Sequence, residues 1–163
     1  MLVDRIVELE RNVRITTIKN LTMAEEYLSD HFPHFPVMPG VLMLEAMTQA
    51  GAWLVRYSED FAHSMVLLKQ AANVKYGQFI EPGQTLSVTA EILNDTENET
   101  KLKASGSVDG KMTVSGRLIL SKYNLADTTP HHARIDEATK TELRKMFNLI
   151  YQPGETISGP TTS

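Results

Sequence analysis

Apolar and polar residues alternate with a period of two over several stretches of the chain, most densely between residues 86 and 120. Leu86, Val88, Ala90 and Ile92 form one run, and Leu102, Ala104, Gly106 and Val108 a second. Met112, Val114, Gly116, Leu118 and Leu120 form a third. In a strand this spacing puts every apolar side chain on one face, so each run predicts a half-buried strand. Asp109-Gly110, between the last two runs, predicts a tight hairpin. Residues 2–9, 12–20 and 64–72 predict three further strands, and 76–80 a short extended piece stopped by Pro82-Gly83.

Two segments break this rhythm. Residues 41 to about 57 are apolar on nearly every side of a helix, which predicts a helix buried all round. In a chain of this size a sheet wrapped about the helix is the natural cover. Further on, Leu143, Met146, Phe147 and Ile150 fall at i, i+3, i+4 and i+7, a single stripe on an amphipathic helix opened by Asp136. That stripe predicts packing on the domain or on a partner subunit. Thr22 is placed to cap a short helix over 24–28, with Glu25 completing a capping box. The expected architecture is α+β, a curled antiparallel sheet around one long central helix with an extra C-terminal helix. Residues 1–124 are expected to form the domain, and 125–163 a linker, the amphipathic helix and a flexible tail from 154.

Composition narrows the function classes. A formal net charge of −4 argues against nucleic acid as the main partner, since phosphate binding needs a basic surface. There is no cysteine, which excludes disulfides and thiolate chemistry. Pro39, Glu45 and Gln49 interrupt the longest apolar stretch, so it reads as a core helix and not a membrane span. The first five residues lack the basic-then-apolar form of a signal peptide, and a cytoplasmic location is expected.

The residues able to do chemistry cluster before and within the central helix. His31 lies in a loop stiffened by Pro33, Pro36 and Pro39. Gly40 and Val41 open the helix, where backbone N–H groups are unpaired and the dipole is positive. Glu45 follows about one and a half turns later, and Gln49 lies four residues on, on the same face. A carboxylate on an apolar buried helix is expected to have a raised pKa, suited to a general acid. An imidazole base, a carboxyl acid and amides able to hold a developing oxyanion fit proton abstraction beside a carbonyl with loss of a leaving group at the next carbon. Taken singly, His31 and Glu45 would equally suit structural roles.

The twenty residues from His31 to Ala50, His-Phe-Pro-His-Phe-Pro-Val-Met-Pro-Gly-Val-Leu-Met-Leu-Glu-Ala-Met-Thr-Gln-Ala, closely resemble the signature of the FabZ-type 3-hydroxyacyl-[acyl-carrier-protein] dehydratases. Pro82-Gly83-Gln84 resembles that family's Pro-Gly-Asp turn. The resemblance implies a hot-dog fold and either a homodimer or a hexamer made of three such dimers. It implies His31 and Glu45 as the catalytic pair, meeting across the dimer interface. Gly40 matches the residue whose N–H polarises the thioester carbonyl, with Val41 beside it, and Gln49 matches the glutamine that supports the glutamate. Acyl carrier protein is the implied partner, delivering the acyl chain to an apolar tunnel beside the central helix. No metal or redox cofactor is implied, and His31-x-x-His34 lacks a third ligand for a metal. His34 stands where the family has glycine, a replacement expected either to narrow the substrate pocket or to add a polar contact there. The family's basic docking residues are missing around 76–79, and Lys69, Lys75 and Arg56 are the expected substitutes. Two rival readings are a hot-dog thioesterase and a non-catalytic subunit that only binds the carrier.

Overall fold

In the computed structural model, residues 1–22 and 38–153 are described. The short helix expected over 24–28, His31, His34 and the tail expected from 154 lie outside the described residues.

Six strands form one antiparallel sheet: β1 (Arg5–Glu10), β2 (Arg14–Asn20), β3 (Met65–Tyr76), β4 (Thr85–Asp95), β5 (Glu99–Val108) and β6 (Lys111–Tyr123). Their spatial order is β1-β2-β4-β5-β6-β3, so β1 and β3 are the edges. The alternation read from the sequence is the burial pattern observed. Leu86, Val88 and Ala90 on β4 are buried, as are Leu102 and Ala104 on β5 and Leu118 and Leu120 on β6. Between β5 and β6 the predicted turn is present, with positive φ at both Asp109 (52°) and Gly110 (79°). Two successive left-handed residues match the twist of a hairpin.

The strand expected over 64–72 is longer than its pattern suggested. β3 continues to Tyr76 in register with β6 and carries irregularities between Leu68 and Gln70 and between Ala72 and Lys75. Asn73, at φ 55°, sits in the second of these. Each bulge resets the inside–outside alternation, which is why periodicity faded before the strand did. The separate extended piece expected at 76–80 is absent. Its first residue ends β3, and the rest is irregular.

The central helix α1 (Gly40–Ser58) lies in the curl of the sheet and packs on β2, β3, β4, β5 and β6. Small residues let the sheet approach. Ala46 and Ala50 have no exposure, and a Cβ on Gly51 would stand 3.5 Å from Leu102 and Leu120. The helix is not buried all round, however. Val41 is 68% exposed and Glu45 is exposed, because the sheet covers only one side of the first two turns.

The expected linker is built rather than loose. Two 3-10 turns, Leu125–Asp127 and Pro130–His132, lead directly into α2 (Ala133–Ile150). That helix packs on its own domain. Phe147 and Ile150 are buried, and Phe147 contacts the rings of Trp53, Tyr57, Phe61 and Tyr151 at 5.4–6.0 Å between centroids. Among the described residues no helix is long and apolar enough to cross a membrane.

Candidate active site

Pro39 caps α1 in an extended conformation (φ −62°, ψ 144°) without a side-chain hydrogen bond. The amides of Leu42 and Met43 both donate to the Pro39 carbonyl, at 3.0 and 3.3 Å. Those of Gly40 and Val41 have no acceptor among the described residues, as expected at a helix start. Tyr76, at the end of β3, presses on this turn. A Cβ at Gly40 would lie 3.1 Å from its ring, so a side chain here would displace either the ring or the helix start.

One and a half turns on, Gln49 Nε2 donates to Glu45 Oε2 at 3.1 Å. The other end of the amide is also engaged, since Gln49 Oε1 accepts the backbone N–H of Leu2 at 2.7 Å. That second bond fixes the orientation. With the oxygen occupied by an N–H, the amide nitrogen must face the carboxylate. Leu2 and Val3 are buried, so the N-terminal segment anchors the pair. The desolvated carboxylate expected from the sequence is not found within one chain. Glu45 faces solvent, because the sheet lies on the opposite side of α1.

Glu45 and Gln49 border a cleft of 380 Å³ that runs along α1 past Thr48, Ala52 and Trp53 to Arg56. Val66, Leu67 and Leu68 of β3 form one flank, and Leu143 and Met146 of α2 the other. The lining is apolar apart from the helix stripe. Arg56, one of the expected docking residues, is therefore partly enclosed by this cleft. Its Nε is buried with no hydrogen-bond acceptor among the described residues, and the guanidinium lies 5.0 Å from the centre of the Trp53 ring. Burial lowers its pKa to about 10, against the opposing pull of Glu59.

The other two expected docking residues differ in setting. Lys69 pairs with Glu99. Lys75 opens onto a second depression, of 310 Å³, shared with Asn73, Lys103 and Arg117. Lys103 and Arg117 stand directly opposite one another on β5 and β6. Like charges in that position repel, so an anion between them would be favourable.

The acid read from the sequence only as the opener of the amphipathic helix joins α2 to the domain. Asp136 is buried and accepts hydrogen bonds from Ser64 Oγ (2.5 Å) and from the amides of Leu125 (2.8 Å) and Ala126 (2.9 Å). Burial pushes its carboxyl up, but these bonds and nearby Lys140 outweigh burial and hold it below the ordinary carboxylate range.

Comparison with known proteins gives a consistent picture. The family model for the FabA-like domain matches residues 1–121. The chain is 38% identical over 133 residues to the 3-hydroxyacyl-[acyl-carrier-protein] dehydratase FabZ of Janthinobacterium sp. (strain Marseille), covering 80% of this chain and 85% of the relative. It is 41% identical over 118 residues to the FabZ of Rickettsia bellii (strain OSU 85-389), covering 72% and 81%. Among solved structures, the dehydratase heterocomplex ApeI:P from Xenorhabdus doucetiae superposes with a TM-score of 0.63 at 18% identity, covering 91% of this chain and 90% of that one. The E. coli PaaI protein superposes with a TM-score of 0.55 at 11% identity, covering 72% and 77%. These structural likenesses support the hot-dog fold.

Proposed function

The chain belongs to the FabA-like family and within it to the FabZ-type 3-hydroxyacyl-[acyl-carrier-protein] dehydratases, and from that premise we propose that it converts (3R)-3-hydroxyacyl thioesters on acyl carrier protein to trans-2-enoyl thioesters. His31 takes the C2 proton. Glu45 of the partner subunit gives a proton to the C3 hydroxyl, which leaves as water. The amide of Gly40, with that of Val41 beside it, receives the thioester oxygen as charge gathers on it. Gln49 holds the glutamate in place. The imidazole and carboxylate return to their starting forms by exchange with water, so proton transfer alone accounts for the reaction. It needs neither a metal nor a redox cofactor.

The observation that carries this reading is the Glu45 carboxylate, oriented by Gln49, at the mouth of an apolar cleft beside a helix start with free amides. The homodimer is supported by the β3 edge, where Leu67 and Leu68 are exposed and no second strand pairs among the described residues. Three such dimers would form the hexamer, and the protein would work in the cytoplasm. His34 is assigned to substrate binding on the family resemblance.

An assay following enoyl absorbance together with thiol release tests the reaction. The expected result is enoyl product without free thiol. Thiol release without enoyl product would establish the thioesterase instead, and neither product would leave only carrier binding. His31→Ala and Glu45→Gln should each lower kcat by about 10²-fold or more while leaving the thermal midpoint within a few degrees. Light scattering should give a multiple of two chains.

A further inference from the structure

The cleft along α1 starts at the Glu45–Gln49 pair, and α2 meets it at the far end. Phe147 of α2 lies against Trp53 and Tyr57, in the second half of α1, at 6.0 and 5.5 Å between ring centroids. Leu143, one turn before Phe147, and Met146 beside it reach the cleft. Both are only partly buried against the core, so each keeps apolar surface to offer. The floor between the two ends is low. Thr48 turns its hydroxyl back onto the Leu44 carbonyl at 3.0 Å, and Ala52 carries only a methyl group. A trough with small floor residues and the apolar flank of Val66, Leu67 and Leu68 fits an unbranched apolar chain. Its length follows from helix geometry, which puts Trp53 and Arg56 roughly 12 and 16 Å along the axis from Glu45. An extended chain of C–C bonds near 1.5 Å advances roughly 1.3 Å per carbon, so about nine to twelve carbons cover that distance.

We propose that Leu143 and Met146 of α2 form the end wall for the acyl tail and set the longest chain the enzyme turns over. The substrate class is an unbranched apolar acyl chain with about nine to twelve carbons beyond C3. The inference rests on the dehydratase reading, which places C3 beside Glu45, and names the substrate class of that same site. It gives a part in specificity to a helix, Ala133–Ile150, that lies outside the residues 1–121 matched by the family domain. A tail that stops short of the wall leaves apolar surface uncovered, and one that overruns it must displace α2. The helix itself is fastened by other residues. Phe147, Ile150 and Asp136 are buried, so the two wall residues can be changed while α2 stays seated.

The test measures kcat/KM for 3-hydroxyacyl thioesters on acyl carrier protein, in a series from about six to about eighteen carbons that brackets this length. It uses the full-length wild type, Met146→Ala, Leu143→Ala and Met146→Trp. The wild type should fall off beyond about fifteen carbons in all. Met146→Ala and Leu143→Ala should each raise the ratio of long-chain to short-chain turnover, by about fourfold for every methylene that gains cover. Met146→Trp, which fills the cleft, should lower the same ratio by about tenfold. Opposite shifts from emptying and filling one position are the mark of a wall, since loosened packing would move both variants the same way. Leu143→Ala decides the question if a Met146 variant does not fold. A wild type with no length limit in the series, or variants that scale every length by one factor, would overturn the proposal while the dehydratase assignment stands. If the wild type forms enoyl product from none of the series, both fall.

Discussion

At the scale of single residues, the charged groups that matter most are those that look like surface residues in the sequence. Asp136 is an example. Its position near the start of an amphipathic helix suggests a solvated acid, yet it is buried and ties Ser64 and two backbone amides together. Because its folded pKa is depressed, it contributes stability above the ordinary carboxylate range. That contribution is lost as pH falls through the folded value. Asp136→Asn should therefore lower the denaturation midpoint clearly at pH 7, and the gap to wild type should narrow at pH 3. Urea titrations at the two values check this, and a gap independent of pH would refute it. The partial enclosure of Arg56 is hidden for the same reason, since nothing in linear spacing reveals that a helix face turns into an apolar cleft. Glu45 was misjudged in the opposite direction. Its apolar neighbours suggested full burial, whereas its own turn is bare of sheet. The Glu45–Gln49 pair, by contrast, was legible, because i and i+4 on a helix fix a shared face and amide chemistry does the rest.

Among the secondary-structure elements, legibility followed regularity. β4, β5 and β6 keep strict alternation and were predicted with their hairpin, and α1 emerged close to its observed limits. β3 did not emerge fully, since its two irregularities break the two-residue rhythm. The stripe on α2 was read correctly, but its partner could not be, because Trp53, Tyr57 and Phe61 are brought to it by tertiary packing. Phe147 sits at the centre of that aromatic group. Phe147→Ala should cost about 3 kcal/mol or more through the lost burial and the cavity left behind. Chemical denaturation measures this directly, and a loss under 1 kcal/mol would mean that α2 is only loosely attached.

Across the whole molecule, a net charge of −4 conceals a local basic surface on the sheet. Lys75, Lys103 and Arg117 share one depression, and Lys103 and Arg117 alternate with the buried Leu102, Ala104 and Leu118, so it lies on the face of the sheet turned away from α1. An acidic carrier docking there would relieve the repulsion between Lys103 and Arg117. The double variant Lys75→Glu, Lys103→Glu should raise KM for carrier-linked substrate several-fold, with an effect that shrinks at high salt. The same variant should handle a short pantetheine thioester like wild type. Equal losses on both substrates would place the dock elsewhere.

Leu143 and Met146 belong to a helix that begins after the matched domain has ended at residue 121, whereas Glu45, Gln49 and Arg56 lie within that domain. On the proposed reading the acyl chain would thus meet walls from both the family domain and the helix that follows it. Exchange of that helix alone would then retune which chains are accepted while leaving the machinery for removing water untouched, so diversification need not put the chemistry at risk.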